Sequence, residues 1–538
     1  MSFEVKYTDL AARIGRLETP HGILETPAFI PVVHPVRQTI SPQFLKNLGF
    51  DSVITNAYIT LQHYGDEARR RGIHDIINYD GVVMTDSGGY QVLEYGSIDV
   101  EPATIAQFEK DIRGDILVPL DKPTGYRLNY EKAKEYVEQT LKNAKETIEV
   151  IAGGRGGKKS KRVVEGSDWN DDYHMDSAIW VGPVQGAEHS DLVEYCAAAL
   201  DKMGFKLMAL GSPVELMEAY EFSILAQMIA TVKRVIPAKP IHLFGAGHPI
   251  TIPLVVALGC DMFDSGSYIL YARDNRYMHA NGTIKLEKLS YLQCQCPICT
   301  TYTIKELLEM DRDKRTIQIA KHNLYILKAE VSAVKQAIVD GRLWEYVIQK
   351  ARAHPKLMEA IELFKNFEFL EEGTLLFKEK AIFFYDPIDQ YRPEAKRFRK
   401  MVSGFRSSIT KKRLILYAES HVHPFYSTYD FLQIVKKFSN AQICTYNPFL
   451  GIIPAEISDI FPAAHNLISK KLTPYQAKDY PSFIESLNGF LMTNNTFKEI
   501  IIVADRFMRE VVENSGNVTI KGLNVKIIDY EQDVLLKL

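Results

Sequence analysis

Short apolar runs alternate with amphipathic helical segments from residue 50 to residue 264, and this alternation limits the possible folds more than any other feature. Repeated strand–helix alternation of this length predicts a parallel α/β architecture. Four segments have helical periodicity: Glu131–Ile151, Ser190–Met203, Pro213–Ile236 and Pro249–Gly259. Seven runs have the character of buried strands: Phe50–Thr55, Gly81–Thr85, Ile116–Leu120, Ala178–Val184, Leu207–Leu210, Ile241–Phe244 and Met262–Asp264.

Polar residues stand at or just after the ends of many of these runs. In a (β/α)8 TIM barrel the site is built at the carboxyl ends of the strands. The pattern therefore predicts a barrel with one convergent polar site, and an open doubly wound sheet is the alternative fold. The residues in these positions are Asn56, Asp86, Asp121, Gln185, His248 and Asp264.

Three of the six cysteines lie within six residues, at Cys294, Cys296 and Cys299, and His322 follows on a predicted helix. Such crowding indicates metal ligation in a reducing compartment rather than a disulfide framework. Three thiolates and one imidazole complete a tetrahedral zinc shell, which is typical of a structural site. The alternative is that the cysteines are small buried hydrophobic residues and that His322 belongs to the core.

Charge and hydropathy bear on whether the protein binds nucleic acid or spans a membrane. The net charge of -3 gives no overall positive potential that would indicate nucleic-acid binding, although local basic patches are sufficient for such binding. We expect a cytoplasmic protein without a membrane span, because the first residues lack an apolar leader and no apolar run reaches about 18 residues. The glycine-rich and basic stretch at 153–172 predicts a solvated loop, or a basic arm that touches phosphates.

Two aspartate motifs follow apolar strands. One is Thr85-Asp-Ser-Gly-Gly-Tyr-Gln91, and the other runs from His242-Leu-Phe-Gly-Ala-Gly-His-Pro249 to Phe263-Asp-Ser-Gly-Ser-Tyr268. An isolated aspartate in such a place is more often a helix N-cap or a turn residue. Together with the cysteine cluster, however, these motifs resemble those of the tRNA-guanine transglycosylase family. Their residues are most similar to the motifs of its archaeal branch. The resemblance covers roughly residues 5–365 and implies a first domain of residues 1–365, a (β/α)8 barrel with an inserted zinc-binding subdomain at about 285–330.

The resemblance also implies catalytic roles. Base exchange breaks an N-glycosidic bond and remakes it at the same carbon, so a covalent double displacement gives overall retention. By resemblance, Asp264 is the nucleophile and Asp86 is the general acid and base. The residues that the resemblance places around the base are Ser87, Tyr90, Asp121, Gln185, Gly186 and Gly211, although Ser212 stands where the family commonly has a second glycine.

For the archaeal branch, the resemblance implies that guanine at position fifteen of the tRNA D-loop is exchanged for 7-cyano-7-deazaguanine in archaeosine biosynthesis. It further implies one zinc ion per chain and a homodimer. Archaeal members usually end in an RNA-binding PUA domain, which is not recognisable here, so a separate PUA-domain protein could supply that contact.

Beyond the barrel, residues 366–400 are interpreted as a connecting segment and 401–538 as a smaller α/β domain. Within the latter, residues 413–505 resemble the core domain of archaeosine synthase. The stretch from Glu419 to Tyr426 lacks the cysteine and lysine of that enzyme's motif. We therefore expect this domain to be structural or to bind tRNA.

Three other functions stay open from the sequence. The chain could be an archaeosine synthase-like paralogue, a non-catalytic tRNA-binding subunit, or a zinc-dependent barrel hydrolase. Retention of Asp86, Asp264 and the cysteines argues against the first two. A hydrolytic zinc site needs an open coordination position, usually with several histidines, whereas these ligands are clustered thiolates. The transglycosylase is therefore the favoured hypothesis.

Overall fold

The computed structural model describes residues 2–89, 100–153, 178–419, 424–469, 475–513 and 524–529. The chain divides into two compact units, residues 1–369 and 370–538. Tyr90 and nearly all of the basic stretch at 153–172 lie outside the described residues. Of the helices in the described ranges, none combines the length and the apolar character that a membrane crossing requires.

The first unit is built on a closed parallel barrel. A three-stranded antiparallel sheet precedes it, formed by β1 (Phe3–Asp9), β2 (Ala12–Thr19) and β3 (Gly22–Glu25). The barrel strands are hydrogen-bonded in the order β4-β11-β10-β9-β8-β7-β6-β5, and a parallel bridge between Val32 and Ile54 closes the ring. This confirms the predicted barrel over the open sheet. The strands are β4 (Ala28–Pro31), β5 (Ser52–Asn56), β6 (Val82–Asp86), β7 (Ile116–Val118), β8 (Ile179–Val184), β9 (Leu207–Leu210), β10 (Ile241–Leu243) and β11 (Met262–Ser265).

Alternate residues of the strands fill the barrel interior. Pairs two residues apart, such as Val82 and Met84, belong to one buried cluster, because side chains on a strand point to opposite faces in turn. The intervening residues face the surrounding helices. This buried interior holds the strand ends at fixed positions, where the polar residues follow.

Strand β4 was not predicted. It is only four residues long, follows Pro27 and ends at Pro31, so its apolar run does not stand out from a loop. Its pairing with β11, from Ala28 opposite Met262 to Pro31 opposite Ser265, makes it a strand. Pairing with a strand distant in sequence, rather than its own residues, therefore makes this segment a β-strand.

The barrel helices begin and end at recognisable signals. Tyr130–Ile151 begins after Asn129, whose side chain accepts the N–H of Lys132, and buries a stripe that includes Val137 and Leu141. The predicted helix Pro213–Ile236 is wrong in its continuity, because Tyr220 has φ +58° and separates two helices. The helices are Pro42–Asn47, Ala57–Tyr64, Asp66–Arg71, Ile73–Ile77, Pro102–Asp111, Tyr130–Ile151, Ser190–Lys202, Val214–Glu218, Phe222–Val235, Ile252–Ala257 and Ser267–Arg273.

An insertion after the last barrel strand carries the cysteines. It begins with the hairpin β12 (Arg276–His279) and β13 (Gly282–Lys285), and its longest helix is Arg312–Val339. That helix presents His322 on its buried side, toward the cysteine segment. The other elements from here to residue 366 are the 3-10 helices Leu286–Lys288 and Leu363–Asn366 and the helices Pro297–Thr301, Ile304–Glu309, Leu343–Ala351 and Pro355–Glu362.

A buried carboxylate ties together the amino-terminal end of the barrel. Asp115 precedes β7, and its Oδ1 accepts the backbone N–H of His21 at 2.8 Å and lies 2.8 Å from His21 Nδ1. Its Oδ2 accepts the N–H of Val83 at 2.8 Å and lies 3.1 Å from His74 Nε2. Burial opposes ionisation, but the hydrogen bonds from the two histidines outweigh it and lower the pKa of Asp115 to about 2.

The second unit is a smaller α/β domain, as predicted. Its five-stranded sheet has the order β17-β16-β15-β19-β20, in which only β17 runs antiparallel. A separate parallel pair joins β14 and β18. The strands are β14 (Ile382–Phe384), β15 (Arg413–Ala418), β16 (Ala441–Asn447), β17 (Gly451–Pro454), β18 (Asn466–Ile468), β19 (Glu499–Ala504) and β20 (Asn524–Asp529).

The segment predicted to connect the domains contributes to the core of the second unit. Ile382, Phe384 and Phe398 are buried in the same cluster as the residues of β16 and β17. Their apolar side chains explain why this segment packs rather than bridges. The helices are Phe369–Gly373, Pro393–Ser403, Tyr429–Lys437, Pro481–Thr493 and Arg506–Glu513, with 3-10 helices Pro387–Tyr391, Phe425–Ser427, Ala455–Ile457 and Ala477–Asp479.

Candidate active site and metal centre

Three carboxylates gather at the carboxyl ends of the barrel strands: Asp86 on β6, Asp121 after β7 and Asp264 on β11. Burial raises the pKa of Asp86 to about 7, and the negative charges of Asp121 and Asp264 add to the rise. A carboxyl group with such a pKa both holds and releases a proton near neutrality. The arrangement is therefore suited to general acid–base chemistry.

Asn56 fixes the orientation of Asp86. The two residues lie opposite each other in the pairing of β5 with β6, and Asn56 Nδ2 donates to Asp86 Oδ2 at 3.2 Å. Asn56 Oδ1 in turn accepts the N–H of Ile59 at 2.8 Å, where it caps the helix Ala57–Tyr64. The amide cannot flip without losing both contacts.

Gln185 holds Asp121 through an amide whose oxygen and nitrogen are both hydrogen-bonded. Gln185 Nε2 donates to Asp121 Oδ2 at 2.5 Å. Gln185 Oε1 accepts the backbone N–H of Thr124 at 3.1 Å, the hydroxyl of Thr124 at 3.0 Å and the hydroxyl of Ser212 at 3.1 Å. Burial raises the pKa of Asp121 to about 6, against the hydrogen bond from Gln185. The pair presents a rigid donor and acceptor array of the kind that can read a purine edge.

Two glycines make room for this pair. A Cβ on Gly89 would lie 2.0 Å from Asp121 Oδ1, and one on Gly211 would lie 2.0 Å from Gln185 Nε2. The N–H of Gly211 donates to Val184 O at 3.0 Å, so the group that Gly211 can still offer to a ligand is its carbonyl. Close approach of backbone and side chain, rather than a turn, explains glycine at these positions.

The remaining predicted base-binding residues have separate environments. Ser87 is fully buried, and its hydroxyl has no hydrogen-bond partner among the described residues. The N–H of Gly186 lies 3.4 Å from the hydroxyl of Thr124, beside Gln185. Tyr90 is outside the described residues. His248, which the strand-end pattern included, has no hydrogen bond to the three carboxylates in the described part of the chain, and its Nδ1 accepts the N–H of Ile250 at 3.4 Å.

Asp264 has a histidine partner that sequence reasoning missed. His242 Nε2 lies 2.9 Å from Asp264 Oδ1, and the N–H of Gly245 lies 3.3 Å from the same oxygen. The sequence held one signal, since a histidine stands inside the apolar strand β10. Without the pairing of β10 with β11, nothing in that signal distinguishes a carboxylate partner from ordinary core packing.

The four residues predicted to bind a metal lie close together. The Sγ atoms of Cys294, Cys296 and Cys299 and one nitrogen of His322 all lie within 4.8 Å of one another, so these residues could hold a metal ion. His322 Nδ1 lies 3.4 Å from Cys296 Sγ and 3.3 Å from Cys299 Sγ. His322 Nε2 donates to Met278 O at 2.8 Å, which leaves Nδ1 facing the thiols as a ligand.

Comparison with known proteins agrees with this geometry. The family model described as queuine tRNA-ribosyltransferase matches residues 9–356. A tRNA-guanine(15) transglycosylase of Sulfolobus acidocaldarius is 40% identical over 86% of this chain and 87% of its own length. The tRNA-guanine(15) transglycosylase of Saccharolobus solfataricus is 39% identical over 94% of this chain and 97% of its own length. The one from Methanocaldococcus jannaschii is 35% identical over 91% of this chain and 72% of its own length.

Proposed function

The chain belongs to the queuine tRNA-ribosyltransferase family and is a tRNA-guanine transglycosylase, and we propose that it replaces guanine at position fifteen of tRNA with 7-cyano-7-deazaguanine, as in archaeosine biosynthesis. The position is supported by the relatives described above, which are tRNA-guanine(15) transglycosylases. The observation that carries the chemistry is the meeting of Asp86, whose pKa is raised to about 7, with Asp264 at one end of the barrel.

Asp264 acts as the nucleophile in this proposal. Its Oδ2 attacks C1′ of the target ribose while the bond from C1′ to N9 of guanine breaks, which leaves the ribose esterified to Asp264. The departing guanine takes the proton of the Asp86 carboxyl group. The Asp86 carboxylate then removes the N9 proton of the incoming base, whose nitrogen attacks C1′ and displaces Asp264. Two inversions give net retention.

Asp121 and Gln185 would recognise the base. A guanine-type edge presents N–H donors and a carbonyl acceptor, which match a carboxylate and an amide fixed side by side. The hydroxyl of Ser87 and the carbonyl of Gly211 complete the proposed contacts. Tyr90 keeps its proposed role of stacking on the base, and the target nucleotide must leave its stack to enter this pocket.

Zinc is the metal that fits the cysteine cluster best. Three thiolates and one imidazole form a closed tetrahedral shell, and the hydrogen bond from His322 Nε2 to Met278 supports the ligand orientation. Such a site stabilises the fold and takes no part in the bond exchange. We further propose a homodimer that works on tRNA in the cytoplasm, with a separate PUA-domain protein as a candidate partner.

Incorporation of radiolabelled guanine into an unmodified tRNA transcript tests the proposed function. The wild-type protein should label the transcript, and replacement of the guanosine at position fifteen should abolish the labelling. Competition by unlabelled 7-cyano-7-deazaguanine should then identify the preferred base. Labelling that persists in the position-fifteen variant would reject the assigned target.

Two variants address the assigned residues. Asp264→Asn should abolish exchange while tRNA binding persists, because the amide is a poor nucleophile of nearly the same shape. Asp274→Asn is the matched control, since Asp274 is an exposed surface carboxylate that pairs with Lys285 and Arg276. Exchange retained by Asp264→Asn would remove the nucleophile assignment. Wild-type protein without exchange, even with a PUA-domain protein added, would favour a synthase-like paralogue or a non-catalytic subunit.

A further inference from the structure

The strand pairing brings His242 to the proposed nucleophile. In the pairing of β10 with β11, His242 lies opposite Met262, and Asp264 stands two residues further along the same strand. Because side chains alternate between faces, His242, Met262 and Asp264 share one face. Met262 belongs to the buried barrel interior. The register therefore places the imidazole beside the carboxylate without help from any loop.

The two donors act on a single carboxylate oxygen. His242 Nε2 at 2.9 Å and the N–H of Gly245 at 3.3 Å both face Asp264 Oδ1. Among the described residues, no hydrogen bond reaches Asp264 Oδ2. One oxygen of the carboxylate is thus held by the protein, and the other is left to react.

The environment of His242 argues against a purely structural role. The residue is fully buried, and its Nδ1 has no hydrogen-bond partner in the described ranges. An unpartnered buried acceptor destabilises the fold, and an apolar residue at this position would avoid that loss. The contact with Asp264 is the polar interaction that a hydrocarbon side chain could not make.

We infer that His242 is a positioning residue for the exchange reaction, which holds Asp264 Oδ1 so that Oδ2 points toward C1′ of the ribose. This inference rests on the proposed function of Asp264. When Oδ2 forms the ester, Oδ1 becomes its carbonyl oxygen and loses negative charge. When the second base displaces Asp264, the charge returns to the carboxylate, and the Nε2–H of His242 stabilises it. The histidine therefore also assists the departure of Asp264.

A pair of substitutions separates the hydrogen bond from the packing. His242→Phe keeps a ring of similar shape without a donor, whereas His242→Gln places an amide nitrogen near the position of Nε2. Steady-state guanine exchange should show kcat lowered by roughly 100-fold in His242→Phe, the size expected when a reacting group loses its alignment. The KM for tRNA and the Tm should stay near the wild-type values. His242→Gln should recover kcat to within about tenfold of wild type.

A third variant guards against misfolding. His242→Asn carries the same amide as glutamine but is one carbon too short to reach Asp264, so its kcat should resemble that of the phenylalanine variant at unchanged Tm. Equal kcat in the glutamine and asparagine variants would overturn the positioning role. Wild-type kcat in His242→Phe would do the same.

The proposed function is tested separately in the same assay. Wild-type protein that exchanges guanine, together with an inactive Asp264→Asn variant, establishes the reaction. If His242→Phe is then fully active, only the inference about His242 fails. If the wild-type protein shows no exchange, the proposed function fails and the inference falls with it.

Discussion

Replacement of Asp115 by asparagine should destabilise the barrel unit in a manner that depends on pH. Asp115 accepts two backbone N–H groups and faces two imidazoles, so Asp115→Asn removes the charge and turns an amide NH2 toward a donor. The misplaced donor costs about 1–3 kcal/mol at any pH. The lost charge adds a second contribution whose size follows from the lowered pKa.

That contribution can be worked out from the structure. The pKa of Asp115 is lowered from 3.8 in the unfolded chain to about 2 in the folded protein. Since the folded-state pKa is the lower one, ionisation stabilises the fold fully above the unfolded pKa and ceases to do so as pH falls through the folded pKa. Linkage gives about 2 kcal/mol at pH 5 and about 1 kcal/mol at pH 3. The destabilisation by Asp115→Asn should therefore shrink by about 1 kcal/mol over this range.

Urea unfolding followed by tryptophan fluorescence measures this effect. The three tryptophans, Trp169, Trp180 and Trp344, all precede residue 370 in the sequence, so none of them lies in the second unit. Trp180 and Trp344 are in the described part of the first unit and report its unfolding. Asp80→Asn is the matched control, because Asp80 is an exposed carboxylate whose salt bridge to Lys46 should contribute less than about 1 kcal/mol. A free-energy difference between wild type and Asp115→Asn that is the same at pH 5 and pH 3 would refute the reasoning.

Three further predictions concern the carboxyl ends of the strands and the metal centre. Single-turnover release of guanine should slow as pH rises through about 7, because the protonated Asp86 is the proposed donor; Asp86→Asn should lose this dependence and react roughly 100-fold or more slowly, as rapid-quench kinetics would reveal. Gly211→Ala should raise the KM for the free base by about tenfold, since its Cβ must displace Gln185; an unchanged KM would show that the amide adapts. Cys296→Ala, or treatment of the wild type with a strong chelator, should lower both zinc content and Tm, and an unaltered melting curve at reduced zinc content would remove the structural role of the metal.

The sequence predicted those parts of the fold that depend on local patterns of neighbouring residues. The apolar runs from Phe50 onward predicted most of the barrel strands, because a buried parallel strand needs a continuous apolar segment. The spacing of the cysteines predicted a metal centre, since ligand geometry restricts spacing. Strand β4 and the break at Tyr220 escaped prediction because neither leaves a distinctive run of residues.

In the candidate site, too, residues with a local sequence signal were predicted and residues that depend on distant pairing were not. Asp86 and Asp264 stand out because small residues follow each at a strand end. At the opposite end of the barrel, the contact of Asp115 with His21 and His74 joins residues separated by 94 and 41 positions, and no local pattern predicts it. The pairing of His242 with Asp264 depends on the register of β10 and β11. A contact that depends on the register between two strands can be identified only once the pairing of those strands is known.

The closure of the barrel has a consequence for a chain that is still being synthesised. Strand β4 emerges early from the ribosome, but one of its two neighbours, β11, is the last barrel strand to be made. Until residues 262–265 are available, the nascent sheet has two open edges, which other chains could pair with. Asp264 itself lies on β11. The strand that completes the ring thus also carries the proposed nucleophile, so that under the proposed function the chain gains this group only when its barrel can close.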